Sequence, residues 1–171
     1  VYTADPRIVP KARKLKKVSH EEMLEMASLG AKVLQTRSVE MAMKYNVPVQ
    51  VLSSFEDTPG TLLVCEEEVM ERRVVTGVTC SRNDAQVTLL GVQNTPGIAA
   101  NILDPIADAE INIDMIVQNA NIDGETTDMT FTVPKDDAEK ARKVFESNKE
   151  KIKYTSLNID TDVAKVSVIG V

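Results

Sequence analysis

Between Ala85 and Asp160 the hydrophobic period switches from two residues to 3.6 and back, twice, which narrows the folds open to this stretch. AQVTLLGV (85–92) reads as a strand. NTPG then opens an amphipathic helix with Ile98, Ile102, Leu103, Ile106 and Ala107 on one side. Pro96 fits the first helical position, where a missing N–H costs nothing; Pro105 lies inside the helix and should kink it or loosen a turn. Ile111, Ile113, Met115 and Val117 alternate with Asn112, Asp114, Ile116 and Gln118 as in a strand. Asp123-Gly124 supplies a turn, and Met129, Phe131 and Val133 alternate along the next strand. After Pro134, DDAEKARKVFESNKEKI is acidic first and basic last, as the helix macrodipole favours, with Ala138, Ala141, Val144 and Phe145 as its apolar stripe. YTSLNID closes the unit. The order β-α-β-β-α-β predicts a ferredoxin-like domain. Ahead of it, VVTGVTCS reads as a further strand, with Arg82-Asn83-Asp84 as a hairpin turn leading into 85–92.

Residues 1–64 follow a different plan. VYTADPRIVP is extended, because Pro6 and Pro10 discourage helix in themselves and their predecessors. Ser19 is a helix N-cap and Glu22, three residues on, completes a capping box; Met23, Leu24, Ala27, Val33 and Leu34 carry the stripe to about Leu34. A second helix is predicted over Val39–Tyr45, closed by Asn46, then strands at VPVQVLSS and TLLVC. CEEEVMERR (65–73) turns from acidic to basic without an apolar period and reads as a linker between domains.

AQVTLLGV (85–92) and AKVSVIGV (164–171) share four of eight residues, and three more are like-for-like swaps. Their spacing of 79 residues is about one βαββαβ unit, which predicts a tandem pair of domains whose second copy stops after its first strand. The chain opens with Val1 inside a motif, so it is expected to be an internal fragment. The expected layout is 1–64 in an α/β domain, 65–73 as linker, 74–163 as an α+β domain with a leading strand, and 164–171 as the truncated copy.

A formal charge of −6 argues against a nucleic-acid surface, which needs a positive field. Lys11, Arg13, Lys14, Lys16 and Lys17 are the basic exception and read as a solvated face. Cys65 and Cys80 match neither a disulfide framework nor a metal spacing, and His20 alone leaves no histidine triad or zinc site. Without a signal peptide or membrane-length apolar run, the reading is a reducing cytoplasm and no membrane partner. P-loop and GxGxxG motifs are absent, and the paired carboxylates Asp136/Asp137 and Glu66 to Glu68 fall at a helix start and in the linker.

Two features rise above that background. In VYTADPR, followed by GAKV, a fork-shaped Arg7 and a point-charge Lys32 suit phosphates, and Tyr2 could wall off a flat base. The plainer reading of Asp5-Pro6-Arg7 is a turn. In GVQNTPG, Gly97 opens a helix whose backbone N–H groups can receive a carboxylate, while Asn94, Gln118 and Asp114 could read an ammonium or hydroxyl. The plainer reading there is a turn and N-cap with a structural role only.

VYTADPRIVPKARKL with EMASLGAKVLQTRSVEMAMKYNVPVQVLSSF resembles the C-terminal part of the aspartokinase kinase domain. MERRVVTGVTCSRNDAQVTLLGVQNTPGIAANILDPIADAEINIDMIVQNA resembles the start of that family's ACT regulatory region. The resemblance implies an amino-acid-kinase α/β portion followed by a ferredoxin-like ACT domain. It also implies phosphorylation of the L-aspartate side chain by MgATP, the first step towards lysine, threonine and methionine. Tyr2, Asp5, Arg7 and Lys32 fall on nucleotide-contacting positions. Asn94, Gly97, Ile98, Ala99 and Gln118 fall on positions lining a lysine or threonine effector site between ACT domains of a homo- or hetero-oligomer. Asn94 departs from family members with Asp there. By the same resemblance, catalytic groups precede Val1, and the chain alone is expected to be inactive. Met70 sits where an internal start for a separate regulatory subunit would fall. The alternatives are a stand-alone ACT sensor without catalysis, which has no use for VYTADPR or GAKV, and another amino-acid kinase fused to an ACT domain.

Overall fold

The structure, a computed structural model, describes residues 1–69, 74–122 and 124–170. It divides into two compact units, Val1–Ser81 with Lys165–Val171, and Arg82–Ala164.

The first unit opens with β1 (Lys17–Ser19), α1 (His20–Ser28), α2 (Thr36–Lys44), β2 (Val49–Val51), β3 (Thr61–Val64) and β4 (Gly77–Ser81). β1 runs parallel and β2 antiparallel to β3, in the order β1-β3-β2. The capping box forms: Ser19 Oγ accepts the Glu22 N–H at 3.1 Å, and Glu22 Oε2 accepts the Ser19 N–H at 3.2 Å. Met23 and Met26 are buried beside Val18, Val39 and Leu63. α1 stops at Ser28 rather than near Leu34, because Gly30 takes φ 113° and turns the chain; Val33 is exposed. α2 begins at Thr36, earlier than the apolar pattern suggests, and Asn46 reverses the chain after it at φ 52°. His20 is buried with Nε2 3.1 Å from the Val47 carbonyl, a structural role. Glu66–Glu68 form a short 3-10 turn in the expected linker; Met70, and with it the internal-start reading, lies outside the described residues.

The second unit contains β5 (Asp84–Gln93), α3 (Ile98–Asp108), β6 (Asp114–Ala120), β7 (Thr126–Pro134), α4 (Ala138–Ser147), α5 (Lys149–Ile152) and β8 (Ser156–Asp160). Its antiparallel sheet has the order β6-β7-β5-β8, which is the ferredoxin-like arrangement. One face carries Val87, Leu89, Met129, Phe131 and Val133, packed in one core with Ile102, Ile106, Ala141 and Phe145. The Phe131 and Phe145 rings lie 5.8 Å apart at 51°, a favoured tilted pairing.

Local expectations change in three places. Pro96 lies outside the helix, because Gly97 at φ 84° is the N-cap, and α3 continues through Pro105 with Ala107 on its exposed side. Met115, at φ 30°, forms a bulge between Asp114 and Ile116 that breaks the two-residue alternation, and every residue of β6, an edge strand, is exposed. The single helix expected after Pro134 is divided at Asn148, whose Nδ2 donates to the Val144 carbonyl at 2.9 Å. Gly124 turns the chain at φ 70°, while its predicted turn partner Asp123 lies outside the described residues.

β9 (Lys165–Ile169) returns to the first unit and pairs antiparallel with β4, from Ser81 opposite Lys165 to Gly77 opposite Ile169. This overturns the predicted hairpin between residues 74–81 and 85–92. β5 instead lies between β7 and β8. The second unit is therefore an insertion between two neighbouring strands of one ladder. Ile169 enters the core of the first unit, whereas Val166 and Val168 are about two-thirds exposed, at 64% and 65%.

Candidate functional site

Each unit carries one group of candidate residues. In the first, residues 1–3 lie alongside 13–15: Tyr2 bridges to Lys14, Thr3 donates its N–H to the Arg13 carbonyl at 2.9 Å, and Leu15 donates to the Val1 carbonyl at 3.0 Å. This places Tyr2 partly exposed at the start of the VYTADPR segment. Asp5 then closes a tight turn, its Oδ1 accepting the Arg7 backbone N–H at 2.9 Å and the Arg7 Nε–H at 3.0 Å, its Oδ2 accepting from Nη2 at 2.7 Å. The turn reading of Asp-Pro-Arg thus holds. Bonds from the guanidinium, then from the backbone N–H, hold the Asp5 carboxyl down at about 2, and Asp5 in turn raises Arg7. Both members of the pair are therefore ionised at neutral pH. Arg7 spends two of its five side-chain N–H groups on Asp5 and keeps three for another anion, on a side chain that is 87% exposed. Lys32 is exposed on the turn after Gly30, where Ala31 donates to the Met26 carbonyl at 2.8 Å and Val33 to the Ala31 carbonyl at 2.9 Å. Thr3 and Gly30, which anchor these two segments, were not singled out from the sequence. The signal was their place inside the motifs.

In the second unit the loop after β5 is tied to the turn before β7. Asn94 donates its N–H to the Glu125 carbonyl at 2.8 Å and its side-chain amide reaches the Gly124 carbonyl at 3.5 Å. Gly97 is exposed, has no side-chain cap, and meets nothing within 4 Å where a Cβ would stand. Ile98 is buried and donates to the Thr95 carbonyl at 3.1 Å. The first turn of α3 leaves the N–H groups of Ala99 and Ala100 without intrahelical acceptors, a setting that favours a carboxylate. Gln118 stands apart. It lies on β6 opposite Met129, four residues along β7 from Glu125, so about 13 Å of strand separates its row from Asn94. Asn94, Gly97, Ile98 and Ala99 cluster; Gln118 faces out from an open sheet edge.

Residues 1–53 match the amino acid kinase family and residues 87–148 match the ACT domain. The geometry and these matches together define a chain in which an α/β portion of amino-acid-kinase type is joined to a βαββαβ unit of ACT type. The particular family that the chain resembles along its full length is that of the aspartokinases. The aspartate kinase of Pseudomonas putida is 54% identical across 100% of this chain and 42% of its own length. The chain thus spans about two-fifths of the curated relatives it matches. The crystal structure of aspartate kinase from Synechocystis superposes at a TM-score of 0.58, with 35% identity, over 99% of this chain and 31% of that one. E. coli aspartokinase III, solved with aspartate and ADP, shares the fold at a TM-score of 0.79 and 23% identity, over 99% of this chain and 38% of that one; it is also known with lysine and aspartate.

Proposed function

We propose that this chain is the C-terminal part of the kinase domain and the regulatory ACT region of an aspartate kinase. The enzyme moves the terminal phosphoryl of MgATP to the side-chain carboxylate of L-aspartate, giving ADP and 4-phospho-L-aspartate, in a cytoplasmic lysine, threonine and methionine pathway. One P–O bond, to the ADP oxygen, breaks and another, to the carboxylate oxygen, forms, so catalysis is mainly positioning and charge neutralisation. Tyr2 would lie by the adenosine, Arg7 and Lys32 by the phosphates, and Asp5 would keep the Arg7 fork oriented. The observation that carries the reading is the union, in one chain and in family order, of the VYTADPR and GAKV segments with a βαββαβ unit. A stand-alone sensor would not need the former.

The layout is part of the same proposal: 1–64 from the kinase domain, 65–73 as linker, 74–163 as the ACT domain with its leading strand, and 164–171 as the first strand of a second ACT domain. The repeat supports the last assignment. Val166 and Val168 align with Val87 and Leu89, which are fully buried in the core beneath the helices of the second unit. Lysine or threonine would bind by carboxylate at the first turn of α3, with Asn94 beside it. The separation of Gln118 from Asn94 supports a site completed between ACT domains of an oligomer rather than within one.

A coupled ADP-release assay tests the activity. The full-length polypeptide carrying this sequence is expected to turn over ATP only with aspartate, and the 171-residue chain to show none; aspartate-independent turnover in the former, or activity in the latter, would overturn the assignment. Calorimetric titration with lysine and threonine, singly and together, tests the effector site, and absence of heat in the full-length protein would sink it.

A further inference from the structure

β4 has β9 on one edge only. Along the other, Val78 donates its N–H to the Thr3 carbonyl at 2.8 Å, so the strand is stitched to the VYTADPR segment two residues before Asp5. At its far end the Cys80 carbonyl backs the Gly30 turn that presents Lys32; a Cβ built on Gly30 would stand 3.4 Å from that oxygen and 3.6 Å from the Ser81 side chain. At the start of the strand Gly77 packs so closely that a Cβ would meet the Met26 methyl at 2.3 Å and stand 3.5 Å from the Thr3 carbonyl oxygen. Thr76 adds a hydroxyl bond to the Glu22 carboxylate, and Glu22 also caps α1. A single strand thus seats both segments that carry the phosphate-directed cations.

We propose that β4 is a positioning strand for nucleotide binding and that Gly77 is its positioning residue, setting how close the strand lies to Thr3 and therefore where Tyr2 and Arg7 are held. The inference rests on the kinase reading above. Gly77 touches no substrate. A Cβ there would displace the Met26 methyl and stand in ordinary contact, 3.5 Å, with the Thr3 carbonyl oxygen, so the branched methyls of a valine, one bond further out, would crowd that carbonyl, lengthen the Val78 bond and shift the segment. Because the Cys80 carbonyl and the Ser81 side chain lie against Gly30, displacement of the strand end reaches that turn as well.

The test is Gly77→Val in the full-length kinase. The Kd for MgATP, by calorimetry, is expected to rise at least fivefold with the KM for ATP rising in step, while the KM for aspartate stays within twofold. Adding Met26→Ala, which opens the space the valine needs, should restore most of the ATP affinity. Unchanged ATP affinity in Gly77→Val, or a joint loss of ATP and aspartate affinity with lowered Tm, would overturn the proposal. Should the variants not fold, hydrogen exchange in the wild-type kinase decides: the Val78 amide should slow at least threefold on ADP binding, and no change refutes the role. A wild type that binds MgATP without phosphorylating aspartate would refute the substrate reading alone, leaving ATP affinity to judge β4; one that does not bind MgATP refutes both.

Discussion

At Gly91 the backbone turns left-handed, φ 63°, inside a strand that is otherwise regular, and the ladder between β5 and β7 shifts register there. The freed N–H finds the Asp128 carboxylate at 2.8 Å, and Asn121 donates to the same oxygen at 3.2 Å. A methyl group at this position faces two penalties, left-handed strain of about 1–2 kcal/mol and overpacking of about 1–3 kcal/mol. The second arises because the Cβ would come within 2.3 Å of Thr155 Oγ1. Gly91→Ala should therefore destabilise the second unit by about 2–5 kcal/mol, and adding Thr155→Ala should recover the overpacking share. Hydrogen exchange of the β5 and β7 amides is the suitable measurement, since the two cores need not unfold together. A loss below about 1 kcal/mol would show that the bulge relaxes freely. The sequence marked this glycine only through its place in the repeat. Nothing local announced Asp128 as its partner 37 residues away.

Elements were legible where their causes are local. Ser19 with Glu22 located the start of α1, and the alternation of Met129, Phe131 and Val133 located β7 and its buried face. Where the backbone departs locally, periodicity misled: Gly30 ended α1 early, Asn148 divided the last helix, and a bulge at Met115 broke the alternation expected of β6, which is exposed throughout. That exposed strand, β6, is an open edge bearing Met115, Ile116 and Val117, each at least 41% exposed and without a lysine to block pairing. Val117 lies at its centre, so an antiparallel pairing of two copies about that residue would place the two Val117 side chains near one another. If oligomers form through the ACT domain, Val117→Lys should bring like charges together there and lower the apparent mass in sedimentation by about half at concentrations where the unmodified chain is dimeric. An unchanged sedimentation profile would assign the oligomer to another surface.

For the whole molecule, two separate cores account for why the chain reads as two patterns. The cluster around Phe131 and Phe145 is built wholly from residues of the second unit, and its four strands satisfy one another. Residues 82–164 made alone are accordingly expected to fold, with dispersed methyl resonances in a proton NMR spectrum and a cooperative thermal transition; a collapsed, undispersed spectrum would show that the inserted unit depends on β4 and β9. The residues proposed for nucleotide and effector came from the sequence through motif resemblance. The seating of Thr3 and Gly30 against β4 was not, because contacts across more than 50 residues leave no periodicity to read. For the same reason the partner of β4 was misjudged: strand pairing is chosen by the whole fold, and a nearby turn-like triplet is weak guidance beside it.

Because Ser81 and Lys165 face one another on one ladder, the chain leaves and re-enters the first unit at points about 5 Å apart. A segment attached at two such points is a cassette. Removing it and joining the ends by a two-residue turn would convert β4 and β9 into an ordinary hairpin, and any other domain whose termini lie equally close could be spliced into the gap. Such a site lets evolution, or an engineer, exchange the inserted unit while leaving the first unit's own strand pairing intact.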